Sequence, residues 1–167
     1  SFLPFDYVVA PSGSCAGMIK AHYADLFSDS PDWALKQEEL AAKTFELTQF
    51  LHTVMQWRPE GVSLPGTATY HDSCSGLREL GVKAEPRALL AEVQSLQMAP
   101  LVSEEACCGF GGSFCLKYPE ISTAIVADKA KAVGDTGADF LLAGDLGCLM
   151  NMAGKLSRDG SKVRCFH

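Results

Sequence analysis

With 167 residues, 47% of them hydrophobic, the chain is long enough for a domain with a substantial core. A net charge of −6, with no run of Lys or Arg, excludes the basic footprint of a nucleic-acid partner. No stretch reaches the roughly 18 apolar residues of a membrane-spanning helix and no secretory signal opens the chain, so a cytoplasmic protein is expected, attached to a membrane only through partners.

Both ends read as cut: Ser1 opens the chain without a Met, and His167 closes it just after the apolar run Val163–Phe166. In chain order, Tyr7–Ala10 reads as a buried strand. A turn at Pro11–Ser14 leads into a helix from about Cys15 to Phe27. Leu40, Leu47, Leu51 and Val54 recur at helical spacing, which predicts one long helix from Trp33 to about Trp57, broken at Arg58-Pro59-Glu60-Gly61. Thr67–His71 is β-prone and runs into Asp72-Ser73-Cys74. A helix over Pro86–Val93 and a short strand over Ala99–Val102 follow, then a glycine-rich loop, Cys107-Cys108-Gly109-Phe110-Gly111-Gly112. Pro119 to about Val133 reads as a helix with Pro in its first turn. Asp139–Ala143 is a second buried strand, Gly144–Gly147 a turn, Cys148–Leu156 a helix and Val163–Phe166 a last strand. This alternation predicts an α/β fold, a mostly parallel sheet flanked by helices.

Asp6-Tyr7-Val8-Val9-Ala10, a four-residue turn and Cys15 match Asp139-Phe140-Leu141-Leu142-Ala143, an equal turn and Cys148, without a gap. Chance likeness of two strand–turn–helix units is the alternative to an internal repeat. A repeat implies a tandem of two units: residues 1–65 would hold the end of the first plus a connecting helix, and residues 66–167 the second. The first unit's remaining cysteines would then lie before residue 1.

The chain has seven cysteines, at positions 15, 74, 107, 108, 115, 148 and 165. An odd number without an export signal fits poorly with a disulfide framework. Cys148 stands at a strand-to-helix passage, where first-turn N–H groups favour a thiolate, and Cys74 follows a strand in the same way. Parallel strand ends gather at one edge, so the two thiols can converge. Adjacent thiols such as Cys107 and Cys108 diverge; they serve two metal atoms of one cluster more easily than one ion. The neighbouring glycines leave backbone N–H groups free toward sulfur. A vicinal disulfide, a lone redox thiol or plain buried thiols remain alternative readings.

The segments Tyr70-His71-Asp72-Ser73-Cys74, Cys107-Cys108-Gly109-Phe110-Gly111-Gly112 and Ala143-Gly144-Asp145-Leu146-Gly147-Cys148 together resemble the cysteine-rich CCG domain family. That family includes a component of heterodisulfide reductase, the glycolate oxidase iron–sulfur subunit and the lactate utilization proteins, whose motifs look most similar. The resemblance covers essentially the whole chain. It implies an iron–sulfur cluster, [4Fe–4S] in type, held by Cys74, Cys107, Cys108 and Cys148. It also implies electron transfer in an oxidoreductase complex that converts L-lactate to pyruvate, with the other subunits of that complex as partners. Cys15 would be a ligand of the first unit. Many family members end in Cys-x-x-Cys, whereas Asn151 stands here at the second position, so four thiolates remain, enough for a cluster or for zinc.

Cys115 is a candidate substitute ligand, with a core or loop thiol as the alternative; Cys165 reads as core. His71 and Asp72 could orient a ligand, move a proton or contact substrate, and read more simply as a strand-end capping pair. Arg78 and Lys117 could supply positive charge but read as solvated, and Phe110, Phe114 and Tyr118 as a shield against water. Cluster-based thiol–disulfide reduction and a zinc-bound interaction scaffold are the competing functions. The spacing of Gly109, Gly111 and Gly112 does not fit a dinucleotide-binding loop.

Overall fold

The computed structural model describes residues 2–167. β1 (Val8–Ala10) leads into α1 (Gly13–Gly17), which widens through a π-helical turn at Met18–His22 and ends in α2 (Tyr23–Leu26). α3 (Pro31–Ala42), β2 (Thr44–Glu46) and α4 (Leu47–Gln49) follow, with a second π-helical turn at Phe50–Val54. Next come β3 (Ser63–His71), α5 (Cys74–Leu80), α6 (Ala84–Ala91) and β4 (Gln94–Met98). The chain closes with α7 (Phe114–Lys117), α8 (Pro119–Asp135), β5 (Phe140–Ala143), α9 (Leu146–Arg158) and β6 (Arg164–Phe166). Among the described residues no helix is long and apolar enough to cross a membrane.

Every strand pairing is parallel: β1 with β2, and a second sheet in the order β4-β3-β5-β6. The fold is α/β, with parallel sheets flanked by helices, as the alternation of elements predicts. In the larger sheet β4 lies to one side of β3 and β5 to the other. The order of winding therefore reverses between β3 and β5, and the carboxyl ends of those two strands frame the crevice where such sheets usually hold their ligands.

β5 is buried along its whole length and serves two cores. Leu141 and Ala143 pack with Val126, Ala130 and Val133 of α8 and Leu149, Met152 and Leu156 of α9. Phe140 and Leu142 pack on the other face with Ala68, Leu64, Leu90 and Leu96. The two-residue period of a strand makes this division.

The smaller sheet meets the larger through two helix starts. A Cβ on Gly13 of α1 would lie 2.8 Å from the Cα of Gly76 in α5, so the two backbones touch where any larger residue would push them apart. His22 and Glu79 pair at 3.3 Å along the same seam.

Two expectations from the sequence are corrected. The single helix over Trp33–Trp57 is interrupted by β2, because Thr44–Glu46 pairs with Val8–Ala10. The break is stabilised locally: Thr44 donates to the Leu40 carbonyl at 2.7 Å, and buried Glu46 accepts from the Thr48 and Gln49 amides to start α4. The short strand lies at Gln94–Met98 rather than Ala99–Val102, since its register against β3 is set by Gly66↔Leu96 and Ala68↔Met98. The sequence reading also had no helix after Cys74; α5 begins there, capped by the Ser73 hydroxyl, which accepts from the Gly76 amide.

Candidate metal centre

Three segments meet at the β3–β5 crevice. β3 ends in His71 and delivers Cys74 to the first residue of α5. β5 ends in Ala143, and the chain turns through Asp145 into the start of α9, where Cys148 sits. The loop before α7 lays Cys107 and Cys108 across the gap. That loop is held by Gly109, whose φ of +82° and 2.6 Å Cβ clearance from the Ser122 carbonyl admit no side chain. The Ser122 hydroxyl fastens it by donating to the Gly109 carbonyl at 2.7 Å.

The side chains that converge are His71, Cys108 and Cys148, whose ligating atoms all lie within 4.8 Å of one another. Cys108 is 1% exposed. Cys74 and Cys107, both half-buried, lie beside them, close enough that Cys107 raises the pKa of Cys74. The Cys107 sulfur also accepts from the Gly109 amide at 3.3 Å. Cys15 lies on α1, exposed, and Cys115 turns to the Gly112 carbonyl at 3.1 Å. Cys165 lies in β6 against the core, opposite Leu141.

The neighbouring thiols compete for protons. The Cys108 thiol is pulled down to about 5, first by the hydrogen bond from Cys148, then, against the cost of burial, by His71 and the Phe110 amide. Cys148 is pushed upward by donating to Cys108, by burial and by the negative charge on Cys108. Cys74 is pushed up to about 11, chiefly by burial and then by Cys107. Soft donors that hold each other's protons in this way are a site that a thiophilic cation would relieve.

Strand alternation separates His71 from Asp72. His71, fully buried, faces the α8–α9 side with Thr69, and both of its ring nitrogens lack a conventional hydrogen-bond partner. Asp72, 2% exposed, faces away, in a two-pronged pair with Arg87 at 2.9 and 2.7 Å. The two do not act as one capping pair.

Sequence reasoning also missed Lys129. It is 3% exposed, and its Nζ donates to the carbonyls of Ser103 and Glu104 at 2.7 and 3.0 Å. Burial lowers its pKa, while Cys108, Asp72, Cys74 and Cys107 each act to raise it, so the ammonium stands behind the thiols as their nearest buried positive charge among the described residues. Its place in α8, among the inward positions Val126, Ala130 and Val133, was the available signal. A cleft of about 440 Å³ lined by Val102, Ala106, Cys107, Ile125 and Lys129 opens beside it. Arg78, exposed, lowers the pKa of Cys74, whereas Lys117 and Tyr118 are exposed at the end of α7. Phe110 packs on the core and closes over Gly147.

Asp145, 4% exposed, is shared by two helices. Its Oδ1 accepts from the Gly147 and Cys148 amides at 3.1 and 3.3 Å. Its Oδ2 accepts from Ser12 Oγ, Ser14 N and Ser14 Oγ at 2.9, 3.1 and 2.7 Å. Asp145→Ala should destabilise the metal-free protein by about 2–4 kcal/mol, the sum of a lost cap and buried amides left unpaired. Urea unfolding measures it; a loss below about 1 kcal/mol would mean that water replaces the carboxylate without penalty.

The crevice, the paired cysteines and the strand-end His and Cys define a cysteine-rich α/β domain, and a family model described as a cysteine-rich domain (CCG) matches residues 68–153. The chain belongs to that family. It is 46% identical over 167 residues to proteins called lactate utilization protein A from Geobacillus thermodenitrificans and Shouchella clausii, covering all of this chain and 70% of each of those. The protein of the same name from Bacillus cereus (strain B4264) is 44% identical with the same coverage.

Proposed function

We propose that the chain is an iron–sulfur electron-transfer subunit of a system that oxidises L-lactate, or a closely related 2-hydroxy acid, in concert with other subunits. The observation that carries this reading is the meeting of Cys108, Cys148 and the Cys74–Cys107 pair at the switch point of a parallel sheet. The relatives' names supply the lactate pathway.

The residues fit such a group. They offer thiolate sulfur, a buried histidine without a partner, and amides aimed at sulfur. Cys74, Cys107, Cys108 and Cys148 would hold the cluster, which when bound takes up and releases single electrons. The Gly109 and Phe110 amides lower negative charge on the sulfurs, Lys129 offsets it from behind, and Phe110 keeps water from the α9 side.

The test is iron and acid-labile sulfide content, with EPR, on protein purified without oxygen. A brown protein with iron and sulfide in cluster proportion is expected. Colourless protein that binds no iron under reconstitution overturns the reading. Zinc is the second reading, favoured by the imidazole beside two thiolates, and metal analysis of the same sample separates the two.

A further inference from the structure

We infer that His71 is itself a ligand of the metal centre, so that the site is a mixed sulfur and nitrogen one. This rests on the metal-centre reading and extends it to a residue outside the thiolate set.

Three observations meet on His71. Its ligating nitrogen lies within 4.8 Å of both the Cys108 and the Cys148 sulfur, close enough for one ion to touch all three. It is fully buried, and neither Nδ1 nor Nε2 has a conventional hydrogen-bond partner. A buried imidazole left so is poorly compensated for the water it has lost, a deficit that a metal–nitrogen bond removes. Its position is also fixed: His71↔Ala143 is the last rung of the β3–β5 ladder, so the ring is held at the mouth of the crevice by the sheet itself.

Asn151, one helical turn beyond Cys148, is not available for the same task. Its Nδ2 donates to the Cys108 carbonyl at 2.9 Å, holding the cysteine loop down on α9. The position from which a further α9 side chain could reach the metal is thus occupied by a loop fastener. His71 approaches from the opposite, β3, side. Asp72, next to it, is paired with Arg87 and cannot compete.

Two measurements decide the matter. In the first, the full chain is reconstituted with iron and sulfide, reduced, and studied by pulsed EPR. A hyperfine coupling of the size given by a directly bound ¹⁴N is expected, lost in His71→Gln and lost, with the cluster retained, in His71→Cys. A cluster that forms with no such coupling overturns the inference and leaves the cluster reading standing.

If no cluster forms, the cluster reading fails and the second measurement decides for His71. The reduced, metal-free wild-type chain, ¹⁵N-labelled at histidine, is titrated with Cd²⁺ alone. One imidazole nitrogen is expected to move to the position of a metal-bound nitrogen at one equivalent, and His71→Gln to bind Cd²⁺ at least about tenfold more weakly. Thiolate absorbance that saturates while all four histidines stay unmoved overturns the inference. His52→Gln, in the π-helical turn at Phe50–Val54 and outside the His71–Cys108–Cys148 group, is the control for loss of a half-buried histidine. The wild-type titration needs no variant and stands even if His71→Gln fails to fold.

Discussion

Cys108→Ser should leave the protein without its metal: iron and visible absorbance fall from about stoichiometric to background in anaerobically purified protein. The hydroxyl of serine does not ionise in the range where a thiol does, and its oxygen is a hard donor where soft sulfur is wanted. Cys108 is the most buried of the convergent thiols and the one that Cys148, His71 and the Phe110 amide all favour as a thiolate. No other side chain among the described residues can take its place, because Cys115 is engaged with Gly112 and Cys165 lies in β6. Cys115→Ser and Cys165→Ser should therefore keep full metal content. Metal content in Cys108→Ser equal to wild type would make Cys108 a core filler.

Arg87→Ala should cost about 3–5 kcal/mol, because it leaves the Asp72 carboxylate buried without a counter-charge. That is a large share of the ~5–15 kcal/mol that holds a domain folded. The guanidinium grips both Asp72 oxygens, donates to the Lys83 carbonyl at 2.8 Å and to Glu104 at 3.0 Å, and lies over the Tyr70 ring at 5.4 Å. Asp72 sits between His71 and the cap of α5, so the loss should also loosen Cys74. The double variant with Asp72→Asn should recover part of the stability, since the orphaned charge is gone. Denaturant unfolding of the two single variants and the pair measures this coupling; additive losses would mean that the carboxylate and guanidinium act independently. The grip on the loop before Cys107 also depends on pH. Glu104 is held below the ordinary carboxylate range, first by Lys83 and further by Arg87. Its contribution is complete above that range and is lost as pH falls below it.

Much of this architecture was legible in the sequence because it rests on local signals. β5 is a run of apolar residues flanked by turns, α8 opens on Pro119, and the turn read at Gly144–Gly147 marks the start of α9, whereas α5, capped by Ser73, went unread. Cysteines at strand-to-helix passages pointed to one edge of a parallel sheet for the same reason. β2 was hidden because three residues become a strand only by pairing with β1, far back in the chain, while helical periodicity continues on both sides of them. His71 was readable in principle: alternation along Thr69, Tyr70, His71 and Asp72 sends His71 one way and Asp72 the other. What the sequence could not tell was which face the thiols would occupy. Lys129 and Asp145 act through partners distant in sequence, Ser103 and Glu104 for one and Ser12 and Ser14 for the other, and no local pattern announces such pairs.

The Asp145 bond to Ser12 has one more consequence. These residues hold matching places, each the second residue after the alanine that ends its strand, and they touch. Two aspartates there would repel, and a serine at position 145 could cap α9 but has no second oxygen with which to hold Ser12 and Ser14 as well. A single carboxylate facing hydroxyls caps α9 with one oxygen and holds the start of α1 with the other, so any change at Asp145 is felt at both helix starts at once.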